Sequence, residues 1–215
     1  MTASRLVPGP RRVAAAVMLA IAVVALTACD PKQAGSAAVV GGVRITETSV
    51  NADAESVLAA FQAAGVAPPS TQTLLRTLVE RAVDNEIVEA AAKQAGILVT
   101  QGEIDKLISD NGGRVALTAS FATRDGLWLP PGQIDELART SLIQLALGNR
   151  LVPGGAAASV DAAVSVYKAR LAAKLGVSVS PRYGKWSRVT LQITGDLNDL
   201  SRPAPAAAAS VSPTG

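Results

Sequence analysis

The chain has 215 residues, with 20 Lys+Arg, 17 Asp+Glu, no His, 1 Cys, 49% apolar residues and 3% aromatics, room for one ordinary domain and a tail. Without His there can be no Ser-His-Asp triad, Cys-His dyad, His general base or His-ligated metal within the chain, and one Cys excludes an internal disulfide framework and a Cys-cluster metal site. So few aromatics argue against base-stacking platforms for nucleic acid, which leaves a helix-rich binding or structural protein, or an enzyme built on carboxylates.

Arg5, Arg11 and Arg12 form a positive region ahead of Val13 to Ala28, an uncharged run too short for an ordinary spanning helix. The run ends in Leu26-Thr27-Ala28-Cys29, which resembles the bacterial lipobox of a Leu, two small residues and a Cys. The resemblance implies signal-peptidase cleavage between Ala28 and Cys29 and a diacylglyceryl group on the Cys29 sulfur, with palmitate-type chains. Residues 1–28 are then a signal peptide, and the protein is a lipoprotein anchored to the cell membrane on its extracytoplasmic face. An ordinary secretory signal with a chance Cys, or an uncleaved anchor, is the competing reading. Three of the basic residues and none of the acidic ones lie in residues 1–28, so the remainder carries as many bases as acids. A basic surface for nucleic acid therefore loses its support. Acylation would also explain a lone Cys in an oxidising compartment. Asp30 directly after Cys29 resembles the inner-membrane retention signal of Gram-negative bacteria, whose lipoproteins face the periplasm; in a Gram-positive or mycobacterial envelope it carries no such meaning.

Residues 29–36 read as a short polar tether, which keeps the folded part close to the bilayer. Ala37-Ala38-Val39-Val40, Gly41-Gly42 and Val43-Arg44-Ile45 predict a hairpin with a glycine turn. Thr46 or Thr48 caps a first helix to about Ala64, stopped by Gly65 and Pro68-Pro69. Ser70 or Thr71 opens a second, to about Ala95, with an apolar stripe at Leu75, Leu78, Val79, Ala82, Val83, Ile87, Ala90 and Ala91. Thr100-Gln101-Gly102-Glu103 is a capping box that starts a third helix, with Ile104, Leu107 and Ile108 on its apolar face and Asn111-Gly112-Gly113 at its end. A short helix spans about Val115 to Thr123. Pro130-Pro131 opens a further one with Ile134, Leu137, Ala138, Ser141, Leu142 and Leu145 at helical spacing, ending at Gly148. Residues 149–158, with Pro153-Gly154-Gly155, read as a linker. Ser159 caps a last helix to about Leu175, with Val164, Tyr167, Leu171 and Leu175 inward. Val177-Ser178-Val179 and Val189 to Ile193 alternate as short strands, and the charge-poor Pro/Ala/Ser stretch over 201–215 reads as a disordered tail.

This order of parts resembles the N-terminal domain of the SurA/PrsA-type extracytoplasmic chaperone-foldases. Ala38 to Thr46 looks like their opening strand, turn and strand. Leu75 to Ile97 looks like their signature helix, and Val99-Thr100-Gln101-Gly102-Glu103-Ile104-Asp105 like the start of the helix that follows. The resemblance covers about Ala37 to Leu147. The parvulin prolyl isomerase domain of full members, which needs some ninety residues and usually a His, has no room here. Val160 to Val179 looks like the segment that returns after it, and Pro181-Arg182-Tyr183-Gly184-Lys185-Trp186 resembles an actinobacterial variant. The implied fold is mostly α: a helical domain over 37–148, completed by a returning helix and strand over 159–200, with a small β element that pairs the N-terminal hairpin with a C-terminal strand.

The implied function is chaperone-like, in protein folding at the cell envelope: a non-enzymatic holder of unfolded or partly folded exported polypeptides, without cofactor, metal or nucleic acid. A structural or adaptor lipoprotein with one dedicated partner is the alternative, and a peptidyl-prolyl isomerase the third reading. Trp128, Tyr183 and Trp186 are candidate peptide-binding residues, though closing the core is the stronger reading of each. Glu80, Asp84, Glu86 and Glu89 are readable as paired acids or metal ligands, but Arg76, Glu80 and Asp84 follow i, i+4 steps and read better as a solvated face, while Glu86 falls within the apolar stripe, as a partly buried acid or at a groove floor. Cys29→Ala is expected to leave an unprocessed, unlipidated precursor, seen as slower gel migration and loss of metabolic palmitate labelling; unchanged processing would contradict the anchor.

Overall fold

A computed structural model describes residues 35–195. Ala28, Cys29 and the tail over 201–215 lie outside the described residues, as does all of the tether but Gly35 and Ser36. The described chain is mostly helical, with a few small antiparallel strands.

β1 (Ser36–Val40) and β2 (Val43–Thr46) form the expected hairpin. Gly41 and Gly42 have φ of +57° and +88°, the left-handed pair that a two-residue turn requires. A side chain at Gly41 would also meet Leu175 Cδ2 at 2.9 Å, so the turn lies against the end of the last helix. β3 (Val177–Val179) adds antiparallel to the other edge of β1, with Ala38 opposite Val179 and Val40 opposite Val177. The order β2-β1-β3 makes β1 the central strand, which is why Ala37, Ala38 and Val40 are all buried.

Among the described residues there are six helices. α1 (Glu47–Ala64) is capped by Thr46, whose hydroxyl accepts from the Ser49 N–H at 3.0 Å, and ends at Gly65 in the left-handed conformation. α2 (Thr71–Ala95) is capped by Ser70 and ends at Gly96 in the same way. α3 (Gln101–Asp110) has the full capping box between Thr100 and Glu103. α4 (Arg114–Ala122) is short, and α5 (Ile134–Leu151) follows a 3-10 turn at Pro131–Gln133. α6 (Ala157–Leu175) leads into β3, and a second hairpin, β4 (Lys185–Ser187) with β5 (Gln192–Thr194), closes the described chain.

α2 is the axis of the main core. It packs on α1, α5, α6 and the sheet, so its burial is wider than one stripe. Leu74, Val88 and Ala92 are buried as well as Leu78, Val79, Val83, Ile87 and Ala91, whereas Leu75, Ala82 and Ala90 are only half-buried. Each fully buried aliphatic side chain contributes about 1.5–3 kcal/mol relative to exposure, so this helix dominates the hydrophobic term. A second apolar cluster, Ile104, Ile108, Leu129, Ile134 and Ala138, lies among α3, α5 and the loop before α5.

Three sequence expectations are corrected. Gly148 does not end α5, which runs on to Leu151; it lies where α6 crosses, and a Cβ there would stand 2.4 Å from Val160 Cγ1. The glycine allows close helix approach instead of terminating a helix, and only residues 152–156 separate α5 from α6. Ser159 is not a cap, because the alanines before it already favour helix: α6 starts at Ala157, with Ala156 at the cap position and no side-chain cap bond. The strand expected over Val189 to Ile193 is displaced, since Val189 and Thr190 lie in the turn that lets β5 pair back on β4.

Gly148→Ala is expected to destabilise the protein by about 1–3 kcal/mol through overpacking against Val160, read as a lower urea midpoint at unchanged m-value. A second change, Val160→Ala, should recover most of that loss.

Candidate functional site

Trp128 is 6% exposed and Tyr183 2% exposed, so neither offers a ring to a passing chain. Both belong to the main core, with half-buried Trp186 packed against it. Trp128 has φ +40°, a conformation that costs a bulky residue about 1–3 kcal/mol. The guanidinium of Arg81 on α2 holds the turn, donating to the carbonyls of Leu127 at 2.7 Å and Trp128 at 3.2 Å. Burial lowers the Arg81 pKa, opposed by the charges of Asp53 and Glu136. The turn sends alternate residues to different places: Trp128 enters the main core, while Leu127 and Leu129 join the second cluster.

Tyr183 and Trp186 flank Gly184, whose φ is +122° and whose missing side chain lets the Thr194 carbonyl approach. The Arg182 guanidinium lies 5.3 Å from the Tyr183 ring centre and pairs with Glu47 at 2.9 Å. Burial raises the Tyr183 pKa. The Pro181 to Trp186 stretch therefore closes one end of the core and ties it to the start of α1.

The acidic and basic row of α2 is not a solvated face. Arg76 donates to the Gly195 carbonyl at 2.7 Å, Glu80 accepts from the Ile193 N–H at 2.6 Å, and Asp84 pairs with Lys168 of α6 at 2.5 Å. The i, i+4 spacing serves the returning C-terminal segment, which sequence alone does not bring to this face. Burial raises the Glu80 pKa, opposed by the Ile193 N–H and by Arg76. Glu86 is half-buried, as its helical phase predicts; burial raises its pKa, Lys93 opposes this, and the charges of Glu89 and Glu136 add to it. Other α2 polar groups bind α5: Arg139 clasps Glu89 at 2.6 Å, and Asn85 donates to Glu136 at 2.7 Å. Glu80, Asp84, Glu89 and Glu136 are structural ties, and among the described residues no group of three or more Cys, Asp or Glu is placed to hold a metal ion.

Among the described residues an open cleft of about 240 Å³ lies between α3, α4 and α5. Its walls are Leu107, Ile108, Leu117, Phe121, Ile134, Leu137 and Ala138, with Asn111 and Ser141 as the polar members. Ile108, Ile134 and Ala138 form a buried floor, whereas Leu107, Leu117, Phe121 and Leu137 are half-buried walls. An apolar cavity of about 150 Å³ holds a benzene ring, so this cleft has room for one aromatic or two smaller apolar side chains. The signal was present in the sequence as apolar positions on α3 and α5, but periodicity does not tell a covered face from an open one.

Among the described residues no helix is long and apolar enough to cross a membrane. No protein-family model, curated protein or solved structure matches the chain.

Glu80 yields a test with a defined sign. Its folded pKa lies above the unfolded one, so its ionisation destabilises the fold: the penalty is absent below the unfolded pKa, near 4.5, and complete above the folded pKa. Glu80→Gln keeps an acceptor for Ile193 without the charge. Its stability relative to wild type is expected to rise with pH through that window and stay flat outside it, as read from urea midpoints across pH. Glu80→Ala, which strands the Ile193 N–H, should cost about 1–2 kcal/mol.

Proposed function

We propose that this protein is an isomerase-free, lipid-anchored extracytoplasmic chaperone of the SurA/PrsA N-terminal type. Its clients are apolar segments of unfolded exported polypeptides, held without an enzymatic step or a cofactor. The observation that carries the reading is the cleft between α3, α4 and α5, a solvent-open apolar surface lined by no ionisable side chain. Transient burial of a client side chain there removes apolar area from water at about 25 cal/mol per Å², a weak, releasable interaction for one or two side chains. The lipobox-like Leu26-Thr27-Ala28-Cys29 supports the anchor, and the hairpin, helices and returning strand, in that order, support the SurA-N-like fold. The small size of the cleft favours a second reading, an adaptor whose single partner inserts one apolar anchor.

The purified protein should suppress light scattering from denatured citrate synthase at modest molar excess. Leu137→Asp places a carboxylate in the apolar wall and should weaken that suppression roughly tenfold while leaving the helical circular dichroism unchanged. Absence of suppression across several denatured clients, together with capture of one stoichiometric partner, would replace the chaperone with the adaptor.

A further inference from the structure

α4 is lightly held at its N-terminal end. It is nine residues long and Ala122 is its one fully buried residue, while Leu117 and Phe121 touch the cleft from one side. Its N-terminus has no side-chain cap bond and is preceded by Gly112 and Gly113, with φ of +100° and +86°. A Cβ on Gly113 would meet nothing within 4 Å, so no close neighbour demands this glycine; its backbone conformation does. The first helical residue is Arg114, a cation at the positive end of the helix dipole, where it is disfavoured. Arg114 is offset by two carboxylates on different helices: it donates to Asp105 of α3 at 3.2 Å and to Asp135 of α5. All three side chains are about half exposed.

The other end of α4 is fixed. Leu129 donates to the Phe121 carbonyl at 3.0 Å, Arg81 of α2 holds the carbonyls of Leu127 and Trp128, and both Trp128 and Leu129 are buried. Between this anchor and the helix lies Gly126, at φ +73°. One end is thus bolted to the core, α4 packs along its length on α1 and the turn at Pro131–Gln133, and its first residue rests on a solvent-exposed ionic latch beside a glycine pair.

We propose that α4 is a flap over the cleft, pivoting about its anchored end at Phe121 and Ala122, given slack by Gly112-Gly113 and latched by Arg114 to Asp105 and Asp135. Unlatching swings the first turns of α4, with Leu117, away from the floor formed by Ile108, Ile134 and Ala138, while Phe121 stays with Leu129, and widens the cleft beyond one or two side chains. The purpose assigned to this motion, admission of longer apolar segments, rests on the chaperone reading; the motion itself does not. Exposed ion pairs are weak and screened by salt, so the latch is easily opened, as an entry device without ATP would need.

The test uses the purified full chain and hydrogen exchange of backbone amides. Arg114→Gln is expected to speed exchange over residues 114–122 about fivefold, with the amides of α2 unchanged. In wild type, 0.5 M NaCl should have the same effect, and it should add nothing further to Arg114→Gln. In a Cys29→Ser, Ile108→Cys background, the floor thiol should react with N-ethylmaleimide faster by the same factor when Arg114 is replaced. Salt-independent exchange of α4, or acceleration shared equally with α3 and α5, would overturn the flap. If α4 opens as expected but neither Arg114→Gln nor Leu137→Asp alters client holding, the flap stands and the chaperone reading of the cleft fails.

Discussion

Backbone hydrogen bonds between β1 and β3 join the two ends of the described chain, and the remaining packing follows from that union. Closing so long a loop costs conformational entropy before any contact repays it. Repayment comes from several directions. α6 lies across α5 at Gly148, its end meets the hairpin turn at Gly41, and Lys168 pairs with Asp84. Beyond β3, the Arg76 and Glu80 side chains take up the backbone groups of Gly195 and Ile193. Without the returned segment, the central strand would be an edge, and one face of α2 would be left with charges that have nothing to bind.

The apolar residues divide into two clusters of different character. The main core is closed on all sides around α2, with Trp128, Tyr183 and Ile193 among its buried members. The second cluster has a floor but an incomplete cover, because the short, glycine-flanked α4 reaches over it with two half-buried side chains. The strained turn at Trp128 divides neighbouring residues between the two and is held by Arg81, so the closed core fixes one border of the open cluster. A rigid body beside a loosely covered apolar surface is the arrangement that the proposed client-holding role needs. The polar ties between α2 and α5, from Arg139 to Glu89 and Asn85 to Glu136, keep the floor helix in place.

Local signals in this chain were legible wherever one residue type answers one local requirement. Thr46, Ser70 and Thr100 cap helices, Gly65 and Gly96 end them, and Gly41-Gly42 turns the hairpin, because each satisfies backbone groups a few positions away. Gly148 and Ser159 misled because the same residues have a second use. A glycine also permits close helix approach, and a serine after alanines can lie inside a helix. Trp128 and Tyr183 were legible as large amphipathic side chains, but their burial depends on partners distant in sequence. The cleft was legible as apolar positions on α3 and α5, yet not as an opening.

By itself, the amino-acid sequence determined the mostly helical class, the order of the first hairpin, the helices and the returning strand, most caps and stops, and the exclusion of His-based and disulfide chemistry; these follow from composition and from interactions reaching a few residues along the chain. Tertiary structure alone decided which apolar faces are sealed. It also assigned the Arg76, Glu80 and Asp84 row to the returning strand and α6, and left the α3–α5 surface half covered by α4. Those outcomes depend on which distant segments arrive at a given face, and residue spacing within one helix carries no record of that.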